Sequence, residues 1–301
     1  MLKSTEIMRK ARIQGVLIPA LNVAHLSMTE PMINAAADTT TFVLIEVSRV
    51  DWKNFGAVSL KDVYLEYTKY KNERFTRLHL DHIPVIDESQ VKLDYMSFIR
   101  EAVDLGYDSV MIDGSRLSLS GNIETAKEVV DYAHQFGIAV EAELGAVLGH
   151  ESGPIPPYEE LFASGKGFTD VEEAVQFMNE SGCDWLSVAI GNIHGAISGA
   201  GMDQKKPEAR INLDHLKALN DVLEVPLVLH GGSGINLDYV RKSSALGIAK
   251  MNIGTDLRQV YELGLKESGS IDKAQQKLYD RCCEIFTKDL AVSGKASLIS
   301  D

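Results

Sequence analysis

DSVMIDGSRLSLSGNIETAKEVVDYAHQFGIAVEAELG, residues 108–145, is the stretch whose reading decides the fold. It opens on a short apolar run that reads as a strand. In the following NIETAKEVVDYAHQFG, Ala126, Val129, Val130 and Ala133 fall at i, i+3, i+4 and i+7, the stripe of an amphipathic helix. Gly137 stands where a C′ glycine closes such a helix. A second apolar run, IAVEAELG, follows at once.

The same alternation extends in both directions. The other runs are VLIPALNV, TTFVLIEVS, FTRLHLDH, WLSVAIGNIHG, VPLVLHGG and AKMNIG, which makes eight. They are continuously apolar, so both faces of each strand are covered, as in a parallel sheet flanked by helices. Eight such units without a break in composition predict an α/β fold, a (β/α)8 TIM barrel filling residues 1–301 as a single domain. Two connections are longer than usual, 145–170 and 195–212, and are rich in Gly or Pro. Such loops are either lids over a site or surface excursions.

Bulk properties narrow the function. The net charge is −13, which argues against nucleic acid, because phosphate backbones need clustered Lys and Arg. An acidic chain still binds an anionic substrate through a metal and backbone N–H groups. The start has no apolar signal-like region. No stretch approaches the ~18 apolar residues of a membrane span. The cysteines, Cys183, Cys282 and Cys283, are odd in number and carry no metal-binding spacing, so a reducing cytoplasm is the simplest expectation.

The polar residues at the ends of the runs carry the chemistry. They are Asn22, Ser48, Asp81 with His82, Asp113, Glu143, His194, His230 and Asn252. In a barrel these ends converge on the face where active sites lie. Polar groups there are costly to bury without partners. His82, His194 and His230 end runs three, six and seven, and three imidazoles with one open position make a common catalytic zinc shell. One such histidine alone is more often a hydrogen-bonded neutral ring; three together reverse that. His79 and His134 read as structural, and His150 and His215 as other than ligands. Asp81 directly precedes His82, and neighbours on a strand point to opposite faces unless a bulge or the strand end turns one of them. Asp81 is either an acid–base group or a partner that orients a ligand histidine. After the last two runs come HGGSG (230–234) and NIGT (252–255), where barrels recurrently hold phosphate.

With these residues in view, the sequence resembles the class II (zinc-dependent) fructose- and tagatose-bisphosphate aldolase family over nearly its whole length. The matching stretches are PALNV (19–23), HLDH (79–82), MIDGS (111–115), EAELG (141–145), VAIGNIHG (188–195), PLVLHGGSG (226–234) and MNIGTDL (251–257). The resemblance implies a lyase that cleaves a ketose 1-phosphate or 1,6-bisphosphate into dihydroxyacetone phosphate and an aldehyde. It implies His82, His194 and His230 as ligands of one catalytic Zn2+. Asp113 and Glu143 match acidic positions near the metal that could hold a second divalent or monovalent cation. Asp81 would move the proton of the C4 hydroxyl, and Glu151 that of the carbanion. Gly195, Gly231, Gly232, Ser233, Asn252, Gly254 and Thr255 would hold dihydroxyacetone phosphate, with Asn22 and Ser48 at weaker substrate-side positions. A homodimer or homotetramer is implied as well.

The departures cluster around the aldehyde half. Ile83 follows HLDH where the family usually has Gly, and residues 84–95 form an extended loop. Strand two ends in Ser48–Arg49–Val50, Ile197 replaces an aromatic, and the lid reads GAVLGHESG. Arg49 or Arg116 would be the cation to meet an anionic aldehyde. Lys250 is the best lysine for a Schiff base, yet none is needed. The competing functions are a metal-dependent hydrolase on the same barrel and a non-catalytic aldolase-like subunit.

Overall fold

The structure is a computed structural model and describes residues 2–145, 158–192, 210–231 and 235–301. Eight parallel strands close into a barrel in chain order, β1 to β8. They are Ile18–Asn22, Val43–Ser48, Thr76–Pro84, Ser109–Asp113, Ala139–Leu144, Trp185–Val188, Leu227–Leu229 and Ile248–Ile253. β8 returns to pair with β1, so no edge strand is exposed. Each of the eight apolar runs overlaps one of these strands. Among the described residues, no helix is long and apolar enough to cross a membrane.

Helix signals in the sequence act as expected, with one shift. The helix after β4 spans Leu119–Ala133, starting earlier than its apolar stripe because the Ser118 hydroxyl accepts from Gly121 N at 3.3 Å. One further turn leads to Gly137 at φ 71°, the left-handed closure that glycine favours. β6 is the other difference. It ends at Val188, and the chain then turns through Gly191 at φ 103°. Ile190 N is taken by the Asn192 side chain at 2.9 Å, which satisfies the backbone off the ladder.

Two buried clusters hold the barrel. The larger lies between the strands and the helices and includes Leu80, Ile112, Phe177 and Phe286. The smaller gathers Ile7, Met8 and Ala11 of the first helix with Ile18, Phe42, Ala139 and Trp185 at the starts of strands. It closes the end of the barrel opposite the polar rim. Cys282 sits in the larger cluster, and all three thiols are free.

Phe177 is fully buried, so Phe177→Ala removes its contacts and leaves a cavity worth about 3–5 kcal/mol. The thermal midpoint is expected to fall by several degrees. Leu65→Ala, at a side chain 48% exposed, is expected to leave the midpoint nearly unchanged. Calorimetry of both variants checks this.

Candidate active site

β3 is the element that brings the site together. Its pairing with β4 shifts register between Leu80 and Ile83, and His82 takes φ 36°. This bulge cancels the alternation that would separate Asp81 from His82. Asp81, His82 and His230 then each offer a donor atom, all within 4.8 Å of one another. The two imidazoles meet edge to face, with centroids 4.4 Å apart.

Carboxylates surround the rings. His82 Nδ1 lies 3.7 Å from Asp113 Oδ2 and 4.0 Å from Glu143 Oε2. His230 Nδ1 lies 3.1 Å from Glu143 Oε2, and its Nε2 bonds Glu141 Oε1 at 2.8 Å. Burial alone would push both histidines down. The facing carboxylates override it and raise each to about 9: Asp81, Asp113 and Glu143 for His82, Glu141 and Glu143 for His230. Burial likewise pushes Asp113 up, but His82 and the Ser115 N–H and hydroxyl hold it well below the ordinary carboxylate range.

Asp81 is fixed at both oxygens. Asn22 Nδ2 donates to Oδ2 and Asn252 Nδ2 to Oδ1, each at 2.9 Å. Burial raises its pKa, and the charges of His82, Lys250 and His230 outweigh burial, so the net direction is down. Asp81 is therefore an ionised acceptor at neutral pH. Asn22 also lies against Gly254, where an added Cβ would come within 3.0 Å of Asn22 Oδ1. A side chain there would press on Asn22, and Thr255 then begins the helix Thr255–Ser268. Gly231 follows His230 at φ 69°.

Ser48 is placed differently from a free substrate contact. Its N–H and hydroxyl both donate to Asp51 Oδ2 at 2.8 Å, capping the helix Arg49–Asn54. Burial pushes Asp51 up to about 6 against those bonds. Arg49 and Arg116 are also engaged: Arg49 contacts Asp87 Oδ2 at 3.3 Å, and Arg116 donates to the Asp87 carbonyl. His79, His134 and His215 bond Ser109, Asp184 and the Thr169 carbonyl, each as a structural ring. His194, Gly195, Glu151, Gly232, Ser233, His150 and Ile197 lie outside the described residues.

Sequence reasoning missed a layer beneath the rim. Glu46, Glu141 and Lys250 are fully buried inside the barrel. Lys250 Nζ lies 2.9 Å from Glu141 Oε2 and 3.2 Å from Glu46 Oε2. Its pKa is raised, since burial, which lowers it, is outweighed by Glu141 and Glu46. Paired with both carboxylates and fully buried, the Lys250 ammonium is placed as a structural cation and not as a Schiff-base nucleophile. Glu141 was readable from EAE: it stands two residues before Glu143, so both face inward. Asn192 was also missed; its Nδ2 donates to the His230 carbonyl at 3.0 Å and ties the end of β6 to that of β7.

The donor set suits a divalent ion. Two imidazoles within reach of three carboxylates, Asp81, Asp113 and Glu143, are the nitrogen and oxygen ligands that zinc and its neighbours accept.

The chain as a whole is similar to known proteins. The family described as fructose-bisphosphate aldolase class-II matches residues 2–293. The chain is 31% identical over 277 residues to the 6-phospho-5-dehydro-2-deoxy-D-gluconate aldolase of Halalkalibacterium halodurans, covering 91% of this chain and 86% of that one. It is also 31% identical over 281 residues to the fructose-bisphosphate aldolase of Streptococcus pneumoniae, covering 92% and 86%. The crystal structure of the YdjI aldolase of Escherichia coli superposes with a TM-score of 0.76 at 28% identity, covering 98% of this chain and all of that one.

A metal ion competes with protons at this site. With both histidines raised to about 9, each is protonated at pH 7 in the metal-free chain. Binding at both displaces both protons, so apparent affinity is expected to rise roughly a hundredfold per pH unit near neutrality. The rise is expected to level off above about 9. Calorimetric titration with zinc in buffers of different ionisation enthalpy counts the released protons. No release would show that neither histidine carries a displaceable proton when the ion binds.

Proposed function

Because the chain belongs to the class II fructose-bisphosphate aldolase family and is a carbon–carbon lyase, we propose that it cleaves a ketose 1-phosphate or 1,6-bisphosphate reversibly. The products would be dihydroxyacetone phosphate and an aldehyde. The observation that carries this reading is the bulge at His82, which aims Asp81 and His82 at one point beside His230.

His82 and His230, with His194, would hold a zinc ion; Asp113 and Glu143 stand where a second cation would be met. Bound there, zinc supplies Lewis acidity at the ketone oxygen. Asp81, held ionised between Asn22 and Asn252, accepts the proton of the C4 hydroxyl. The C4–O bond becomes a carbonyl, the C3–C4 bond breaks, and its electron pair stays with C3. Glu151 would return a proton to C3. Thr255 at its helix start and Gly231, with Gly195, Gly232, Ser233 and Gly254, would receive the phosphate through backbone N–H groups. Ser48 would keep a substrate-side place at the end of β2. The two relatives at 31% identity carry different substrate names, so identity alone does not choose the aldehyde.

The test is aldol cleavage of a panel of ketose 1-phosphates and 1,6-bisphosphates by zinc-loaded protein, read as release of dihydroxyacetone phosphate. Chelator is expected to abolish release. Asp81→Ala is expected to lower kcat by about 10²–10⁴-fold, the worth of a positioned proton acceptor. Absence of release from every member of the panel would refute the reading and favour a hydrolase or a non-catalytic subunit.

A further inference from the structure

The Glu141 carboxylate lies one layer below the proposed metal site and is committed on both oxygens. Oε2 accepts from Trp185 Nε1 at 2.6 Å and from Lys250 Nζ at 2.9 Å. Oε1 meets His230 Nε2 at 2.8 Å. All four residues are fully shielded from solvent. Two donors on Oε2, one of them a full positive charge, keep Glu141 ionised and its position fixed. An ionised carboxylate can only accept, so the hydrogen at this contact has to sit on Nε2 of His230.

A neutral imidazole carries one N–H. With that hydrogen fixed on Nε2, the lone pair is on Nδ1. Nδ1 is the nitrogen turned toward Glu143 Oε2, at 3.1 Å, and the same oxygen lies 4.0 Å from His82 Nδ1. We propose that Glu141 is a positioning residue which, anchored by Trp185 and Lys250, selects the His230 tautomer and presents Nδ1 to the metal. The inference rests on the reading of His230 as a ligand. It adds the group that decides which of its nitrogens binds. It also accounts for an ionic cluster where barrel interiors usually hold branched apolar side chains.

Glu141→Gln tests it with the shape kept. The Gln carbonyl is drawn to the donors Trp185 and Lys250, which turns the amide NH2 toward His230. That ring must then accept at Nε2 and carry its hydrogen on Nδ1, the wrong nitrogen for the metal. Zinc affinity of the full chain, measured by competition with a chromophoric chelator, is expected to fall about 10–100-fold. The visible spectrum of the Co2+-loaded protein, which reports ligand geometry, is expected to change, while far-UV circular dichroism of the metal-free protein does not. Should Glu141→Gln not fold, Trp185→Phe removes one anchor and is expected to weaken zinc several-fold. Wild-type affinity and an unaltered cobalt spectrum in the folded variant would overturn the inference. His230→Ala separates the two readings: wild-type affinity there removes the ligand reading, and this inference with it, whatever Glu141→Gln does.

Discussion

A strand cannot aim two consecutive side chains at one point without a break in its own geometry. β3 makes that break between Leu80 and Ile83, at the expense of a positive φ for His82, a residue with a Cβ. The ladder compensates by resuming immediately, Ile83 opposite Ile112 and Pro84 opposite Asp113. Ile83 is fully buried in the larger apolar cluster. Ile83 therefore acts on packing and on the lock of the bulge, while Asp81 and His82 keep the rim. Without this one irregularity, only one of the pair could face His230.

The layer under the rim poses an energetic question. Burying Glu141 and Lys250 together gives no stability that well-packed apolar residues would not match, whereas removing one partner leaves an uncompensated charge. Burial, followed by the repulsion of Asp81, pushes Glu46 well above the ordinary carboxylate range. Glu141 is the nearer of the two carboxylates to Lys250 and is held below that range. Glu46, His79 and Asp81 also cluster as a cation would want, but the Lys250 ammonium already supplies the positive charge beside them. The layer thus works on the site from below: it holds His230 through Glu141 and contributes to keeping Asp81 ionised.

The barrel was legible in the sequence because each buried strand is a continuous apolar run and the eight runs are separated by amphipathic helices. The rim residues were legible because polar groups at the ends of such runs are conspicuous. The need for a bulge followed from Asp81 and His82 being neighbours. Partners across the barrel were harder to see. Nothing local says that Glu141 on β5 meets Lys250 on β8, since the strands are adjacent to neither one another nor in sequence. Ser48 shows the same limit: the residue three positions on, Asp51, takes its hydroxyl, a partner that the end of the run alone does not reveal. The end of β6 was placed too late because VAIGN is apolar enough to extend a strand, while Asn192 in fact turns the chain with its side chain.

The same accounting applies to the aldehyde half. Asp87 Oδ1 accepts from Ser89 N and Val91 N, Oδ2 faces Arg49, and its carbonyl accepts from Arg116. The loop after β3 is thus held by two guanidinium groups that flank it, Arg49 at the start of the helix after β2 and Arg116 in the turn after β4. The Arg49–Asp87 pair is largely shielded, with side chains 13% and 6% exposed, so it is less screened than a surface pair. A second phosphate arriving at this rim has to draw Arg49 or Arg116 away from an acceptor already fixed in place by the chain. A hydroxyl meets no such competitor. The difference between those two arrivals is set by the loop after β3.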